Sequence, residues 1–468
     1  MSDFNPSYGS WKTVIVKSFD GVAEMDITAM VFEVQIIQSM GSPLYRGSLR
    51  VLDTVGLLEN KGFKIRGEES LELVLETKDL KESRGPNGLV EIRAQVISVE
   101  NVDVTENGTG VTYTLQWISE SSYKVGKRRV RAPFKDRKAS DVVEAIFKKY
   151  FYRLSKVRRS GDNEIVPFGA TKYQMAGTDG RHFYLQPTEG DLRCLIPNMD
   201  PTGAMKFLAN RSYSKDSPSC SFRFFETIDG YFYVTDEFLV KRGTENNQIV
   251  EEFSFNPLNS MDPSLPEMST NTFRTFKIPS RVDTASDMRS GAYKNEVHEI
   301  DLTRRRAVVK SFDYLDNAKY FDMSGQRVKP KEGRHSPEFI RDTFTEENTK
   351  RFIVYKDYYD QSGPTLRSNQ YFTEIIQNQS MYASHLMNTM VTATITGRMD
   401  LRPGNLISVR VPSFKVQTNP ESPYNEQLSG NYLIYSVGSS FKENILNTTL
   451  TLIKYDWSGS YEPKRGSV

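Results

Sequence analysis

The segment Met390-Val-Thr-Ala-Thr-Ile-Thr-Gly-Arg-Met-Asp-Leu-Arg-Pro-Gly-Asn405, with its continuation to Trp457, decides how this chain is read. It opens on a strand, turns at Leu401-Arg-Pro-Gly404 and resumes as a strand over Asn405–Val411. Pro403 presets φ and Gly404 tolerates φ > 0, which suits a tight turn between two strands. A polar loop runs to Gln427, followed by Leu428-Ser-Gly-Asn-Tyr-Leu-Ile-Tyr-Ser-Val437 and a last strand near Thr448–Tyr455. In Tyr432–Val437 and Thr448–Tyr455 β-branched and aromatic residues predominate, as a half-buried sheet requires.

The N-terminal part follows the same pattern. Lys12–Lys17 and Asp26–Gln38 are rich in Val, Ile and Phe. Glu69–Thr77 carries Leu71, Leu73 and Leu75 on one face and Glu72 and Glu76 on the other, a period of two with one wet side. Val90–Glu100 and Val111–Ile118 continue it, with Tyr113, Leu115 and Trp117 sharing a face and Asn107-Gly-Thr-Gly110 supplying a hairpin turn. Five or more such strands predict a small barrel or sandwich over residues 1–130.

The pattern then changes. Lys124–Lys138 is basic, with Lys127, Arg128, Arg129 and Arg131 close together. A helix capped by Ser140 carries the apolar stripe Val142, Val143, Ile146, Phe147 and Tyr150. A second helix starts at Thr202 with Met205, Leu208 and Ala209, and Asp229-Gly230 turns a hairpin between Ser221–Glu226 and Tyr231–Thr235. Residues 131–249 therefore read as an α+β domain.

Strands return at Val250–Phe255, Glu296–Asp301 and, after a short turn, Arg304–Asp313. Residues 250–315 and 371–468 form the expected second barrel, joined by a helix over Phe372–Asn388. Between them, 316–370 is polar and irregular and reads as an insertion or extended loop. The expected fold class is mainly β: two β-barrels, an α+β domain and a long insertion. No short tandem repeat is visible, and the two strand-rich parts share no evident sequence identity.

The 61 Lys and Arg against 59 Asp and Glu leave a formal charge of +2, so no global basic field argues for nucleic-acid binding. The N-terminus has neither a basic n-region nor an apolar h-region, and no run approaches about 18 apolar residues, so neither a secretory signal nor membrane insertion is expected. Two cysteines, Cys194 and Cys220, are too few for a disulfide framework or a thiolate zinc site. Cys194, beside Leu195-Ile196, reads as buried and inert.

Catalytic patterns are missing. His182, His298, His335 and His385 are scattered without metal-ligand spacing, and no His-Glu-x-x-His, Gly-x-Ser-x-Gly or phosphate-loop motif occurs. The acidic pairs Asp141/Glu144 and Glu68/Glu69 imitate glycosidase carboxylates but are more commonly solvated faces or helix N-terminal charges. No catalytic residue, cofactor or metal is expected. The Lys124–Arg131 cluster could meet phosphates or an acidic surface, but it reads more readily as a solvated linker between domains. Arg304-Arg305-Arg306 cannot all lie on one face of an alternating strand, so it marks a turn or an interface edge.

Several of these segments together resemble a known family. Gly291-Ala-Tyr-Lys-Asn-Glu-Val-His-Glu-Ile-Asp-Leu-Thr303 with Val308-Val-Lys-Ser-Phe-Asp-Tyr314 looks like the start of the second barrel in baseplate hub subunits of T-even-like contractile phages. "LRPGN" and "LSGNYLIYSV" are similar to that family's closing strands, and "GAMKFLANRS" with "SFRFFETIDGYFYV" resembles its α+β domain. Related domains occur in type VI secretion spike proteins. The resemblance implies two tail-tube-like β-barrels per chain and a homotrimer with pseudo-sixfold symmetry that joins a threefold central spike to a sixfold tail tube. It further implies contact with baseplate wedge or tape-measure proteins and a lumen that passes DNA without reading it. The implied location is the virion tail baseplate, assembled in the host cytoplasm. The interface residues expected on this reading are Arg128, Arg129, Arg131, Arg304, Arg305 and Arg306. The rival expectation is a carbohydrate- or receptor-binding tail protein, because aromatic-rich β-domains also bind sugars.

Overall fold

In the computed structural model, which describes residues 8–59, 63–77, 89–105, 110–151, 166–168, 171–176, 182–217, 220–245, 249–255, 271–278, 285, 289, 291, 294–302, 305–313, 349–355, 371, 373–379, 390–413, 424–425 and 428–454, alternating apolar residues build seven N-terminal strands. These are β1 (Gly9–Lys17), β2 (Glu24–Asp26), β3 (Val31–Ser39), β4 (Arg46–Asp53), β5 (Ser70–Thr77), β6 (Leu89–Val104) and β7 (Val111–Ser119). They pair antiparallel in the order β2-β1-β5-β6-β7-β4-β3. Leu71, Leu73 and Leu75 are buried as their alternation requires, and Glu72 meets Lys17 at 3.0 Å on the outer face. Tyr113, Leu115 and Trp117 fill the interior. A Cβ on Gly47 would lie 2.2 Å from the Trp117 ring and 2.1 Å from the Gln35 carbonyl, so only glycine lets β4 cross the indole. β4 has no counterpart in the sequence reading, and residues 107–109 of the expected hairpin turn lie outside the described residues.

The next elements are α1 (Glu120–Gly126), β8 (Val130–Arg137), α2 (Ala139–Ile146), β9 (Val166–Phe168), β10 (Thr171–Ala176), β11 (His182–Leu185), β12 (Leu192–Met199), α3 (Pro201–Ala209), β13 (Arg223–Glu226), β14 (Gly230–Val234) and α4 (Asp236–Glu245). Five strands form a sheet in the order β13-β14-β11-β10-β9, and β8 pairs with β12 in a separate two-stranded ribbon. Phe147, just beyond α2, stacks on Phe183 with centroids 4.0 Å apart and meets Tyr231 edge-on, fixing the helix against the sheet. The helix expected to be capped by Ser140 instead begins at Ala139, with Lys138 at the cap position and no side-chain cap. The Ser140 amide donates to Thr188 Oγ at 2.8 Å, so a hydroxyl remote in sequence satisfies the free N–H. Asp200 caps α3 through the Gly203 amide at 2.9 Å, with Pro201 opening the first turn. The linker reading of Lys124–Arg131 is corrected: Lys124–Gly126 end α1, and Val130 and Arg131 open β8, where Val130 pairs with Met199 of β12, which leaves only Lys127–Arg129 between the two elements.

The remaining elements are β15 (Ile249–Phe255), β16 (Thr272–Phe273), β17 (Thr275–Lys277), β18 (Lys294–Asp301), β19 (Arg306–Asp313), β20 (Lys350–Tyr355), a helical segment over residues 373–379, β21 (Met390–Thr396), β22 (Leu406–Arg410), β23 (Gly430–Lys442) and β24 (Ile445–Lys454). Strands β15, β22, β23, β24 and β21 follow one another in hydrogen-bonded order. β16 pairs with β15, and β17 pairs with β21 one residue further along the chain, so residues 272–277 close the ring. Phe253, Phe273, Ile407, Val409, Tyr432, Ile434 and Leu452 are among the side chains packed inside it. The "RPGN" turn forms as expected: Gly404 has φ +91° and donates its N–H to Ile434 O at 2.8 Å. Buried Arg398 reaches Asp400, Glu251 on β15 and Asn271 beside β16, tying the closing strand to the wall.

β23 is longer than its sequence suggested. Past an irregularity between Ile434 and Ser436 it also pairs with β3, from Ser436↔Ser39 to Lys442↔Glu33, and so joins both sets of strands into one 14-stranded sheet. Its tip reaches the first interior, where Phe441 and Leu446 are fully buried with Val14, Leu73 and Trp117. There Gly9 N–H donates to Asn444 O at 3.2 Å, and Tyr8 bridges to Ile445.

Two further expectations are corrected. β18 and β19, placed by sequence at the start of the second barrel, pair with each other and with β20 in a separate three-stranded sheet. β20 lies within the segment read as an irregular insertion. Its strand runs parallel to β18, and that pairing depends on a neighbour about 50 residues away. The rest of 316–370, apart from Thr349, lies outside the described residues, as do residues 380–388 of the expected helix. Residues 373–379 pack on this sheet through Gln377, whose amide donates to Lys310 O at 2.9 Å, and through Thr373, which bonds buried Glu299.

Candidate assembly interface

The expected interface arginines lie on two different sheets. Arg128, Arg129 and Arg131 are exposed where α1 passes into β8. Lys127 beside them lies 4.0 Å from the Tyr123 ring centroid and 5.3 Å from that of Phe19. From Lys127 to Lys138 seven basic side chains are exposed against one acid, Asp136. Arg305 and Arg306 are exposed at the β18–β19 turn, where Arg305 takes φ +49°; Arg304 lies outside the described residues. The turn expected there is present.

The other sequence candidates have structural partners. Glu69 is buried and accepts the amides of Arg66 at 2.6 Å, Gly67 at 2.9 Å and Glu68 at 3.0 Å, so it braces the loop entering β5. Glu144 pairs with Lys148 one turn along the helix. His182 is exposed, and His298 meets Glu296 at 3.3 Å; His335 and His385 lie outside the described residues. Neither cysteine forms a disulfide among the described residues. Cys194 is half-buried rather than buried: it faces the same core as Ile196 and packs against it without being covered fully. Burial raises both thiols, away from the thiolate that a nucleophile needs. Among the described residues no group of three or more His, Cys, Asp or Glu could hold a metal ion, and no helix is long and apolar enough to cross a membrane.

Sequence reasoning missed the junction that orients these surfaces. Glu226, at the end of β13, is fully buried and accepts hydrogen bonds from Ser119 Oγ (2.7 Å), Ser122 Oγ (2.8 Å) and Ser121 Oγ (3.2 Å). Tyr231 Oη donates to Ser121 Oγ at 2.7 Å. A buried carboxyl group bonded to this many hydroxyls is a satisfied polar group, and it fixes the α+β sheet to the end of β7. The same hairpin is held from two other sides. Gln38 of β3 accepts the Ile228 amide at 3.0 Å, and Arg402 of the "RPGN" turn reaches Asp229 at 2.7 Å. An apolar cluster of Met40, Phe225, Leu239, Leu406, Leu433 and Ile453 seals the three-way contact. A run of serines around Glu120 was visible in the sequence, but nothing there linked it to a carboxylate more than 100 positions away.

No protein-family model and no curated protein matches the chain. Among solved structures, the chain is similar to a tail protein from Neisseria meningitidis, with a TM-score of 0.50 and 11% identity over 97% of this chain and 100% of that one. It is also similar to a prophage tail protein from Shewanella oneidensis (TM-score 0.47, 9% identity, 95% and 99% covered). A third similar structure is a type VI secretion system component from Escherichia coli (TM-score 0.38, 9% identity, 93% and 76% covered). With its strand sets, α+β unit and three-stranded sheet in place, this chain has the fold of the Neisseria tail protein along that protein's whole length.

Proposed function

We propose that this chain is a structural subunit of a phage-type tail. On this reading it is a baseplate hub whose three copies form a pseudo-sixfold ring between a central spike and the tail tube, around a channel that passes DNA. The observation that carries the reading is the union of two strand rings in one sheet through β23. Two ring-like units per chain, repeated in three chains, give six similar positions on one face while the assembly stays threefold. Residues 1–130 would supply the first tube-like barrel, strands of 250–315 and 371–468 the second, and 131–249 the α+β domain, with β18–β20 set apart as an attached sheet.

The partners on this reading are the chain itself, a spike, a tube protein and neighbouring wedge or tape-measure proteins. The near-neutral charge suits a wall that DNA passes without being held by its phosphates. The role is structural, in the virion tail, and any hydrolysis of the cell wall belongs to a partner. The test is the solution mass of the purified chain at micromolar concentration, alone and with its spike partner. A trimer in either condition supports the hub. A monomer in both, with saturable glycan binding, replaces it with the receptor-binding reading.

A further inference from the structure

One chain carries two exposed strips of opposite character. The first is the far half of β6. Beyond Val96, whose amide still donates to Glu69 O at 2.8 Å, β6 keeps β7 as its one strand partner among the described residues, and Ile97, Val102 and Val104 are 46%, 53% and 70% exposed. Glu100 and Asp103 are exposed between them. Glu100 accepts from Ser98 at 2.9 Å and Gln116 at 3.2 Å, both neutral donors, and makes no ion pair among the described residues.

The second strip is the β8–β12 ribbon. Arg128, Arg129, Arg131 and Lys135 are exposed along its β8 side, and Leu195, 63% exposed, lies opposite Pro133 on β12. Arg128, Arg129 and Arg131 make no ion pair among the described residues. Exposed aliphatic side chains flanked by one sign of charge mark an interaction surface rather than ordinary solvent-facing area.

The acidic strip runs along β7 from Ile97, next to the Val96↔Trp117 and Ser98↔Gln116 pairs, to Val104, which pairs with Val111 at the start of that strand. Its carboxylates, Glu100 opposite Thr114 and Asp103 opposite Thr112, lie in the half nearer Val111, whereas the ribbon follows Ser119 and α1 beyond the other end. The two sets of charges are therefore placed to meet between copies, head to tail.

We propose that the acidic strip Ile97–Val104 of one copy docks on the basic β8–β12 ribbon of a second copy of this chain. The contact is made by side chains. Asn101, with φ +51°, and the irregularity between Glu100 and Asp103 break the free edge of β6, and Pro133 removes a donor from β8, so a continuous intermolecular ladder is blocked. Each copy offers one strip of each kind, which is the requirement for a heterologous contact that closes into a ring. This inference rests on the hub reading and names the surfaces by which its copies would meet.

The test uses the full chain and measures its self-association constant by sedimentation at low and at high salt. One variant carries Arg128→Glu, Arg129→Glu and Arg131→Glu, a second carries Glu100→Lys and Asp103→Lys, and a third carries all five changes. Circular dichroism and melting of each variant separate loss of assembly from loss of fold, since every substituted side chain is exposed. The expected result is at least tenfold weaker association for each single-sign variant, recovery in the five-fold variant, and salt sensitivity in the wild type. A wild-type trimer that neither variant weakens overturns this interface and leaves the hub reading standing. A wild-type chain that stays monomeric with and without its spike partner overturns both. An arginine variant that loses assembly without rescue, or that loses DNA binding instead, assigns the ribbon to another partner and overturns the proposal.

Discussion

The two strand rings are built alike but close differently. The C-terminal ring closes with its own strands, because residues 272–277 pair with β15 on one side and β21 on the other. Among the described residues the N-terminal set has no such closing strand. Between β1 and β3 it receives the tip of β23–β24, and Phe441 and Leu446 complete its core. A barrel leaves no free edge only when every strand finds two neighbours. Here one barrel supplies both neighbours itself and the other borrows from its twin. The N-terminal unit is therefore expected to depend on the C-terminal one, and not the reverse.

Phe441→Ala probes that dependence with the largest expected effect. It removes a fully buried ring at the shared tip and should cost about 3–5 kcal/mol. The loss should fall on one side: hydrogen exchange should accelerate in β1–β7 while β15, β21 and β22 keep their protection. Equal loss in both rings would end the asymmetry.

Glu226→Ala should follow, at about 2–4 kcal/mol, because it strands the hydroxyl donors gathered around a buried carboxylate. Limited proteolysis should then release the α+β unit from β7 before either ring opens. If cleavage begins inside a ring instead, the junction does not hold the units together. Glu226→Gln, which keeps an acceptor, should recover part of the loss.

A smaller effect, about 1–2 kcal/mol, is expected for Gly404→Ala, since an L-residue is strained at φ +91°. Its melt should destabilise the C-terminal ring first, and equal or earlier loss in β1–β7 would show that the dependence runs the other way.

Asp200→Ala leaves both rings untouched and serves as the control, at about 1 kcal/mol for a lost helix cap. Burial of Asp200 works to raise its pKa, but bonds from Thr202 and the Gly203 amide outweigh it and hold the carboxyl below its usual value. Its contribution is therefore present above the unfolded value of about 4 and is lost as pH falls through the lower folded value. The gap between wild type and Asp200→Ala should narrow below about pH 4. A constant gap down to pH 2 would mean that the charge adds nothing to the cap.

Local chemistry was readable wherever a few neighbouring residues settle the outcome. Pro403-Gly404 specified the turn that forms, Asp229-Gly230 the hairpin, and Leu71-x-Leu73-x-Leu75 the buried face of β5. The stripe Val142, Val143 and Ile146 likewise gave the buried side of a helix. Where the outcome depends on a distant partner, the reading slipped. Lys124–Arg131 looked like a linker because its charges are local and the pairing of Val130 with β12 is not. β18 and β19 looked like barrel strands because alternation identifies a strand without identifying its sheet. Ser140 looked like a cap because the hydroxyl of Thr188 lies 48 positions away.

By itself the sequence determined that the chain is mainly β, and where alternation or a helical stripe was strong, as in β5, β7 and α2, which side is apolar. These follow from periodicity and turn chemistry within a few residues. Only the tertiary structure decided that β23 serves both rings, that Glu226 holds three serines from another unit, and that the carboxylates of β6 lie toward one end of β7 while the basic ribbon follows the other. Each of these is a contact between residues far apart in the chain. Their energy comes from burial and from satisfied hydrogen bonds that exist only once the whole sheet has closed.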